Sequence, residues 1–291
     1  MGYIVTKELT KVFGYTIALD SVSISIEKPF HILLGPNGSG KSTLISILAG
    51  VRRPTKGYAY VFGIEPYRNP EAVADRASFL LDRARLPPFL NVREFLRAIA
   101  VRIGINLSDI IDMCREILNI DFFDKLCHTL SAGMAKKVAL CAVLAGEPEL
   151  VVLDEPFSNL DAVTKRKLVE YLIDRAKRGL KNVVATHIAT ELIEIEDLEN
   201  VSITVLINGR AVVHGDALKL AEEHGYIYIE IPAEKDIVLQ LTEAGKSFHV
   251  RNGKLYLDTA TAQELGVHGR KVADIARLYD ILLHRATALT P

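Results

Sequence analysis

Apolar and polar residues alternate strictly over Val22-Ser23-Ile24-Ser25-Ile26, and an extended stretch from Tyr3 to Leu9 precedes them. Both predict strands with one wet face, whereas His31 to Leu34 is an apolar run suited to a strand covered on both sides. An antiparallel layer beside a core sheet follows. Another short strand is expected over Gly57 to Gly63, after the turn Arg53-Pro54-Thr55-Lys56-Gly57. From Pro87 to Leu130 the spacing becomes helical, over Val92 to Ile103 and Leu107 to Leu118, with Asn91 and Ser108 available as caps. A helix from Ser131 to Leu144 leads to the apolar strand Leu150-Val151-Val152-Leu153-Asp154-Glu155, which ends in two carboxylates. Then come a helix over Asp161 to Lys177, a strand over Asn182 to Ala185 and a helix over Ala189 to Ile195. Val201 to Ile207 and Ala211 to His214 form a hairpin around Asn208-Gly209. Strand alternating with helix calls for a largely parallel sheet. Beyond about residue 220 the chain restarts as a small α/β unit: strand Tyr226 to Ile231, helix Glu234 to Ala244, two short strands around Asn252-Gly253, and a final helix from Lys271 to His284.

Composition changes this picture little. The 291 residues are 49% hydrophobic and 24% charged, enough for one large domain and a smaller one. A net charge of -1 provides no general pull toward nucleic acid or acidic lipid. Cys114, Cys127 and Cys141 lack metal-ligand or CxxC spacing and read as three small apolar side chains in a reducing interior. The longest apolar run, Val138 to Ala145, is too short for a bilayer. The expectation is a soluble, cytoplasmic chain.

Chemistry enters at Gly35-Pro36-Asn37-Gly38-Ser39-Gly40-Lys41-Ser42-Thr43, which satisfies G-x-x-x-x-G-K-[ST] between an apolar strand and the apolar-periodic Leu44 to Leu48. Strand, loop and helix in that order present backbone N–H groups and the positive end of a helix dipole to a phosphate chain. Lys41 is placed to reach the β- and γ-phosphates, Ser42 to ligate Mg²⁺, and Thr43 to add a hydroxyl. Asp154, ending its strand, is suited to hold Mg²⁺ through water, and a carboxylate packed near another has its pKa raised. The N-terminus of the helix at Ser131 to Gly133 suits a phosphate as well.

Leu130-Ser131-Ala132-Gly133-Met134, Asp154-Glu155-Pro156, Ser158-Asn159-Leu160-Asp161 and Thr186-His187 together resemble the motifs of the ATP-binding-cassette family, in order and spacing, over about residues 3 to 215. The resemblance implies an α/β fold: a P-loop NTPase core with a mostly parallel sheet, an antiparallel β subdomain and a helical subdomain, followed by a small C-terminal α/β domain. Residues 1–218 would form the ATPase domain, with the helical part at about 87–145, and 219–291 the accessory domain. By resemblance Glu155 is the general base for the attacking water, His187 holds that water in line at the γ-phosphate, and Phe13 stacks on adenine. Tyr15 competes for that last role, and a core position for Phe13 is the alternative. Ser131, Ala132 and Gly133 would close over ATP held by a second subunit, with Asp161 lying across the seam. The other histidines, His31, His128, His214, His224, His249, His268 and His284, are assigned to packing or surface.

Departures from the family pattern are as informative. Asp82 stands where a glutamine is usual, within reach of Mg²⁺ only through water or a local shift, and it bears on coupling to the partner. Ala132 and Met134 replace a glycine and a glutamine, which implies slow hydrolysis. Between Arg83 and Phe95, Leu86-Pro87-Pro88-Phe89-Leu90 is either a groove for a cytoplasmic helix of a membrane subunit or a loop tucked into the insert. The resemblance thus implies an ATP-hydrolysing transporter subunit using ATP and Mg²⁺, dimerising head to tail with an identical or related cassette, and serving a separate transmembrane permease, with export favoured and no nucleic acid partner. The alternatives are a soluble cassette ATPase acting on ribosome or DNA, and a regulatory dimer with little turnover.

Overall fold

The computed structural model describes residues 2–82, 85–188, 198–223, 227–246, 248–251 and 253–273. Strands β1 (Ile4–Phe13) and β2 (Thr16–Ile26) form one long antiparallel hairpin, closed by Gly14 and Tyr15. They outrun the alternation in the sequence because register shifts between Thr6 and Leu9, and again near Lys11, carry the pairing past polar residues. At these irregularities Glu8 and Ser21 take left-handed backbone, with φ of 46° and 51°.

Strand β3 (Phe30–Leu34) is wholly buried and feeds helix α1 (Lys41–Leu48). Strand β4 (Lys56–Val61) joins the hairpin in a three-stranded sheet of order β2-β1-β4. The short helix α2 (Pro70–Ala74) and strand β5 (Ala77–Leu80) lead into the helical insert. There α3 (Val92–Ile103) and α4 (Leu107–Leu118) have the bounds their periodicity predicts. Asn91 closes a capping box with Glu94, but Ser108 does not cap: Asn106 holds that position, and the Ser108 hydroxyl turns to Asp109.

Helix α5 (Ala132–Leu144) and strand β6 (Leu150–Asp154) are followed by α6 (Ala162–Lys177), β7 (Lys181–Thr186), and the hairpin of β8 (Val201–Ile207) and β9 (Arg210–Asp216). Asn208 and Gly209 turn that hairpin with φ of 49° and 78°, as a two-residue turn requires. The main sheet has the order β5-β6-β7-β3-β8-β9 and is parallel except for β9. Leu34 pairs with Thr186 and Asp154 with Ala185, so the carboxyl ends of β3, β6 and β7 lie level. That edge is where an open α/β sheet binds ligands.

Both faces of the sheet are covered. One core joins Ile32, Leu34 and Val151 to the insert and α6, through residues such as Leu96, Cys114, Leu140 and Leu168. The other joins Leu33 and Val152 to α1 and the smaller sheet, through Leu44, Ile45, Leu9 and Ile24.

Helix α7 (Ala217–Glu223) packs on β8 and β9. Beyond it β10 (Ile227–Pro232), α8 (Lys235–Glu243), β11 (Phe248–Arg251), β12 (Lys254–Asp258), α9 (Thr259–Glu264) and β13 (Arg270–Ala273) make an antiparallel sheet of order β11-β12-β10-β13 with its own core, including Ile231, Leu241 and Leu257. Two expectations change here. Helix α9, capped by Asp258, has no counterpart in the sequence reading; it is a short helix whose six residues carry too little periodicity to see. Residues 271–273, expected to open a helix, instead extend β13 along β10. The rest of that helix, the one expected over 189–195, and His224, Tyr226 and Asn252 lie outside the described residues.

Two of the three cysteines also differ from expectation. Cys114 on α4 and Cys141 on α5 are paired as a disulfide, with Cα atoms 5.6 Å apart, and Cys127 is free and buried. Their separation of 27 residues hides the fact that both occupy the packed faces of adjacent helices. Among the described residues no helix is long and apolar enough to cross a membrane.

Candidate functional site

The loop from Gly35 to Gly40 can take its shape only with glycine at its ends. A Cβ on Gly35 would run into the Leu206 carbonyl oxygen, and one on Gly40 would sit 2.5 Å from the Ala18 carbonyl oxygen. Gly40 also has a φ of 105°, and it precedes α1 without any side-chain cap. The first N–H groups of α1 are therefore not taken up by a capping side chain. Ser39 is buried with no hydrogen-bond partner for its hydroxyl, while Pro36, Asn37 and Gly38 line the outer bend. Lys41 is 5% exposed; its Nζ donates to the carbonyls of Gly35 at 2.6 Å and Pro36 at 3.2 Å. Burial pushes its ammonium pKa down, and Glu155 and Asp154 push back. Thr43 sits half-buried in the first turn.

Facing this loop, Asp154 ends β6 in full burial. Burial raises its carboxyl pKa first of all, Asp82 and Glu155 raise it further, and the Ser42 hydroxyl and Lys41 oppose the rise. Glu155, one residue on, leaves the strand with a left-handed φ of 47°, its N–H still donating to the Ala185 carbonyl. This kink turns its side chain to the sheet edge, where Oε1 lies 2.9 Å from His187 Nδ1 and 3.8 Å from Lys41 Nζ. His187 follows β7 directly, and Thr186 braces it by accepting the Ile188 N–H on its hydroxyl. Asp82, just past β5, is exposed and acts electrostatically on Asp154.

On α5, Ser131 is the N-cap, its hydroxyl oxygen accepting the Met134 N–H at 3.3 Å, and both Ser131 and Ala132 face solvent. Gly133 is packed so closely that a Cβ would lie 2.5 Å from the Asn159 carbonyl oxygen, which ties this turn to the loop before α6. Asp161 caps α6 through the Thr164 N–H and hydroxyl and pairs with Lys137 of α5 at 2.8 Å. Lys137 and those Thr164 bonds hold the Asp161 carboxyl well below the usual carboxylate range.

Phe13 is 38% exposed at the tip of the first hairpin, with Lys11 Nζ and the Arg52 guanidinium each 5.0 Å from its ring centre. It is not a core residue. Tyr15 is fully exposed.

The structure therefore brings Gly35 to Thr43, Asp154, Glu155, His187 and Asp82 to one sheet edge, and it places Ser131, Ala132, Asp161 and Phe13 on exposed turns, with Gly133 half-buried against the loop before α6. Sequence reasoning missed Lys136 and Lys137, the cations of α5's second turn. A signal existed for Lys136, which stands four and eight residues before the buried Leu140 and Leu144, a charge on an apolar stripe.

A nucleotide and Mg²⁺ fit these residues. Asp154 Oδ1 is buried without a hydrogen-bond partner, next to a serine hydroxyl, a loop of backbone N–H groups and a lysine. One carboxylate with one hydroxyl is the protein donor set of an octahedral Mg²⁺ completed by water and phosphate oxygens.

The family described as ABC transporter matches residues 19–158. The xylose/arabinose import ATP-binding protein of Haloferax volcanii is 33% identical over 68% of this chain and 53% of its own length. The probable sulfate/thiosulfate import ATP-binding protein of Chlorella vulgaris is 32% identical over 75% of this chain and 93% of its own. The bacitracin transport ATP-binding protein of Bacillus licheniformis is 28% identical over 83% and 76%. So the chain spans only about half of the first relative but most of the other two. Among solved structures, an ATP-binding subunit of an ABC transporter superposes with a TM-score of 0.68 at 24% identity, covering 77% of this chain and 93% of that one. A bacterial ABC transporter cassette solved as a dimer superposes with a TM-score of 0.65 at 24% identity over 73% and 98%. The same cassette in a post-hydrolysis state with ADP and Pi superposes equally well. These structures share the fold, including the mostly parallel sheet and the antiparallel β layer.

Proposed function

The chain belongs to the ABC transporter family as an ATPase cassette subunit, and from that premise we propose that it hydrolyses Mg·ATP at the Lys41 loop to drive a separate transmembrane permease. The observation that carries the reading is the placement of Glu155 Oε1 between His187 Nδ1, at 2.9 Å, and Lys41 Nζ, at 3.8 Å. A carboxylate so held can take a proton from a water lying between it and a phosphate bound on the loop, while His187 orients that water. Gly35 to Thr43 hold the phosphates through backbone N–H groups, and Lys41 exchanges its two loop carbonyls for phosphate oxygens. Ser42 and Asp154 would hold Mg²⁺, directly and through water, with Asp82 in an outer role; the ion supplies charge neutralisation for the transferred phosphoryl group. Phe13 stacks on adenine from the hairpin tip.

A second subunit completes the site: Ser131, Ala132 and Gly133 of one copy close over nucleotide bound to the other, with Asp161 at the seam. The exposure of this turn supports that, as does the dimeric state of a structural relative. The permease contact is proposed around Phe89, 89% exposed, a placement that favours a docking surface over a tucked loop. Residues 1–218 form the ATPase domain and 219–291 an accessory domain, the separate core around Leu241 supporting the division. Working through a permease, the subunit operates at the cytoplasmic face of a membrane and needs no nucleic acid.

Export is the direction favoured by the C-terminal unit and by Gly133-Met134. Import is the second reading, favoured by relatives at 32% and 33% identity that carry import in their names. The decisive measurement is multiple-turnover phosphate release by the purified chain, alone and with the membrane protein that copurifies with it. No release above a Glu155→Gln control would reduce the chain to a regulatory nucleotide binder, and copurification with ribosomes or DNA in place of a membrane protein would replace transport altogether.

A further inference from the structure

Burying an ammonium costs several kcal/mol unless anions surround it, and the described residues bury two lysines, Lys41 and Lys136. Lys41 belongs to the phosphate loop. Lys136 lies in the second turn of α5, 6% exposed, and its Nζ donates to the Asp154 main-chain carbonyl at 3.2 Å. Packing alone does not ask for a charge there, since Leu140 and Leu144, one and two turns on, are fully buried and apolar. Three carboxylates, Asp82, Asp154 and Glu155, act on the ammonium electrostatically and partly offset the effect of burial.

The charge count explains the arrangement. Lys41 is one cation among these carboxylates, and the buried Asp154 carboxyl still carries an unpartnered Oδ1. The hydrogen bond to the Asp154 carbonyl keeps the second ammonium from swinging to solvent, so its charge acts as a fixed part of the site. Resting on the nucleotide-site reading above, we propose that Lys136 is a positioning residue: a resident cation that balances Asp82, Asp154 and Glu155 and so sets how strongly the site draws a divalent ion. A second consequence is mechanical. Lys136 and Ser131 share one helix, so the strand end that carries Asp154 is tied to the turn offered to a second subunit.

Mn²⁺ binding, read from the free-ion EPR signal with the full chain saturated by a non-hydrolysable ATP analogue, tests this without turnover. Removing the fixed charge in Lys136→Met should tighten Mn²⁺ binding by about tenfold, and Lys136→Arg should stay within about twofold of the parent. Should Lys136→Met not fold, Lys136→Gln, which keeps a donor for the Asp154 carbonyl but no charge, gives the same reading. Unchanged Mn²⁺ affinity in the neutral variant, with only the unfolding midpoint moved, would make Lys136 a packing residue and overturn the proposal. An arginine variant shifted as far as the methionine one would also overturn it, because charge would not be the variable. A parent that binds no nucleotide analogue removes the site reading itself, a failure visible before any variant is compared.

Discussion

Two helices in this molecule end in turns suited to phosphate, and they are built in opposite ways. Helix α1 starts at Gly40 with no side-chain cap and buries Lys41 beneath its first turn; α5 starts at Ser131, whose hydroxyl accepts a main-chain N–H, and its first residues face solvent. Neither has an acidic residue in its first turn, whereas the packing helices α3 and α4 carry Glu94 and Asp109 there. An acid would compete with a bound anion for the dipole, so its absence leaves both turns open to one, although α6, α7 and α9 lack it too. The contrast lies in completeness. The turn of α1 has its lysine, its carboxylates and its histidine beside it, while the turn of α5 has an exposed serine and alanine and becomes half of a site only in the proposed dimer.

The largest way to break that contrast is to remove chemistry from the complete side alone. Glu155→Gln keeps size and hydrogen bonding to His187 but cannot take a proton, and multiple-turnover phosphate release should fall by at least about a hundredfold with nucleotide still bound. Retained turnover would move the base elsewhere. Next in size, Lys41→Ala removes a charged donor and should weaken binding of a fluorescent ATP analogue by about ten- to a hundredfold, the range of one or two charge-assisted hydrogen bonds. Affinity unchanged in that variant would mean that the α1 turn is not where nucleotide sits.

The sheet that carries α1 should also respond to acid. His31, on the strand that feeds α1, is fully buried, with Nδ1 against the Ser202 hydroxyl at 2.7 Å, Nε2 unpartnered, and the His214 ring centre 6.0 Å away. Burial, and secondarily His214, lowers its pKa to about 3, and burial lowers His214 as well. Because the folded value lies below the unfolded one, the unfolded chain takes up the extra proton. Stability is therefore unaffected above about pH 7 and declines as pH falls from about 6.5 toward 3, by about 1.4 kcal/mol per unit for His31, with His214 adding in the same direction. Denaturant midpoints measured at pH 7 and pH 5 should show this slope, and His31→Asn should flatten it by one proton's worth. An equal slope in that variant would assign the acid sensitivity to other groups.

The same contrast governs what could be read from the chain in advance. The α1 side was legible because its parts are contiguous or end their strands: Gly35 to Thr43 in one run, Asp154-Glu155 closing an apolar strand, His187 just past another. Backbone chemistry there dictates residue type, as at Gly40, where only glycine fits beside the Ala18 carbonyl. The helices α3 and α4 were legible for a similar reason, each being long enough to show its period. What stayed hidden depends on contacts between distant segments. Lys136 finds Asp154 across 18 residues of sequence and Lys137 finds Asp161 across 24, and a lysine in a helix otherwise reads as surface. Phe13 became legible as exposed only once bulges had extended the first hairpin to its tip, and Cys114 with Cys141 only once α4 and α5 were packed. Helix α9 and strand β13 were missed because six- and four-residue elements are fixed by neighbours more than by their own pattern.

The smallest expected effect tests the incomplete turn. Ser131→Ala removes a hydroxyl that caps α5 and, in the proposed dimer, touches the nucleotide of the other copy. As a cap alone its loss costs about 1 kcal/mol of stability, seen as a modest drop in unfolding midpoint with no change in nucleotide handling. As half of a shared site its loss should also cut turnover by about tenfold, the equivalent of one hydrogen bond at a phosphate, and leave the affinity of a single chain for an ATP analogue within about twofold. That split separates the two helix ends, because the same measurement on Lys41→Ala lowers single-chain affinity first. Mixing Ser131→Ala with Glu155→Gln sharpens it. A mixed pair matches an intact α5 turn from one copy with an intact Glu155 site from the other only when the two defects sit in different chains, so a double-defect chain with a parent chain should keep no complete site. Complementary single-defect chains should keep one. More activity in the double-defect mixture would mean that each copy closes its own site, and equal activity would leave the α5 turn no more than a capped helix at the surface.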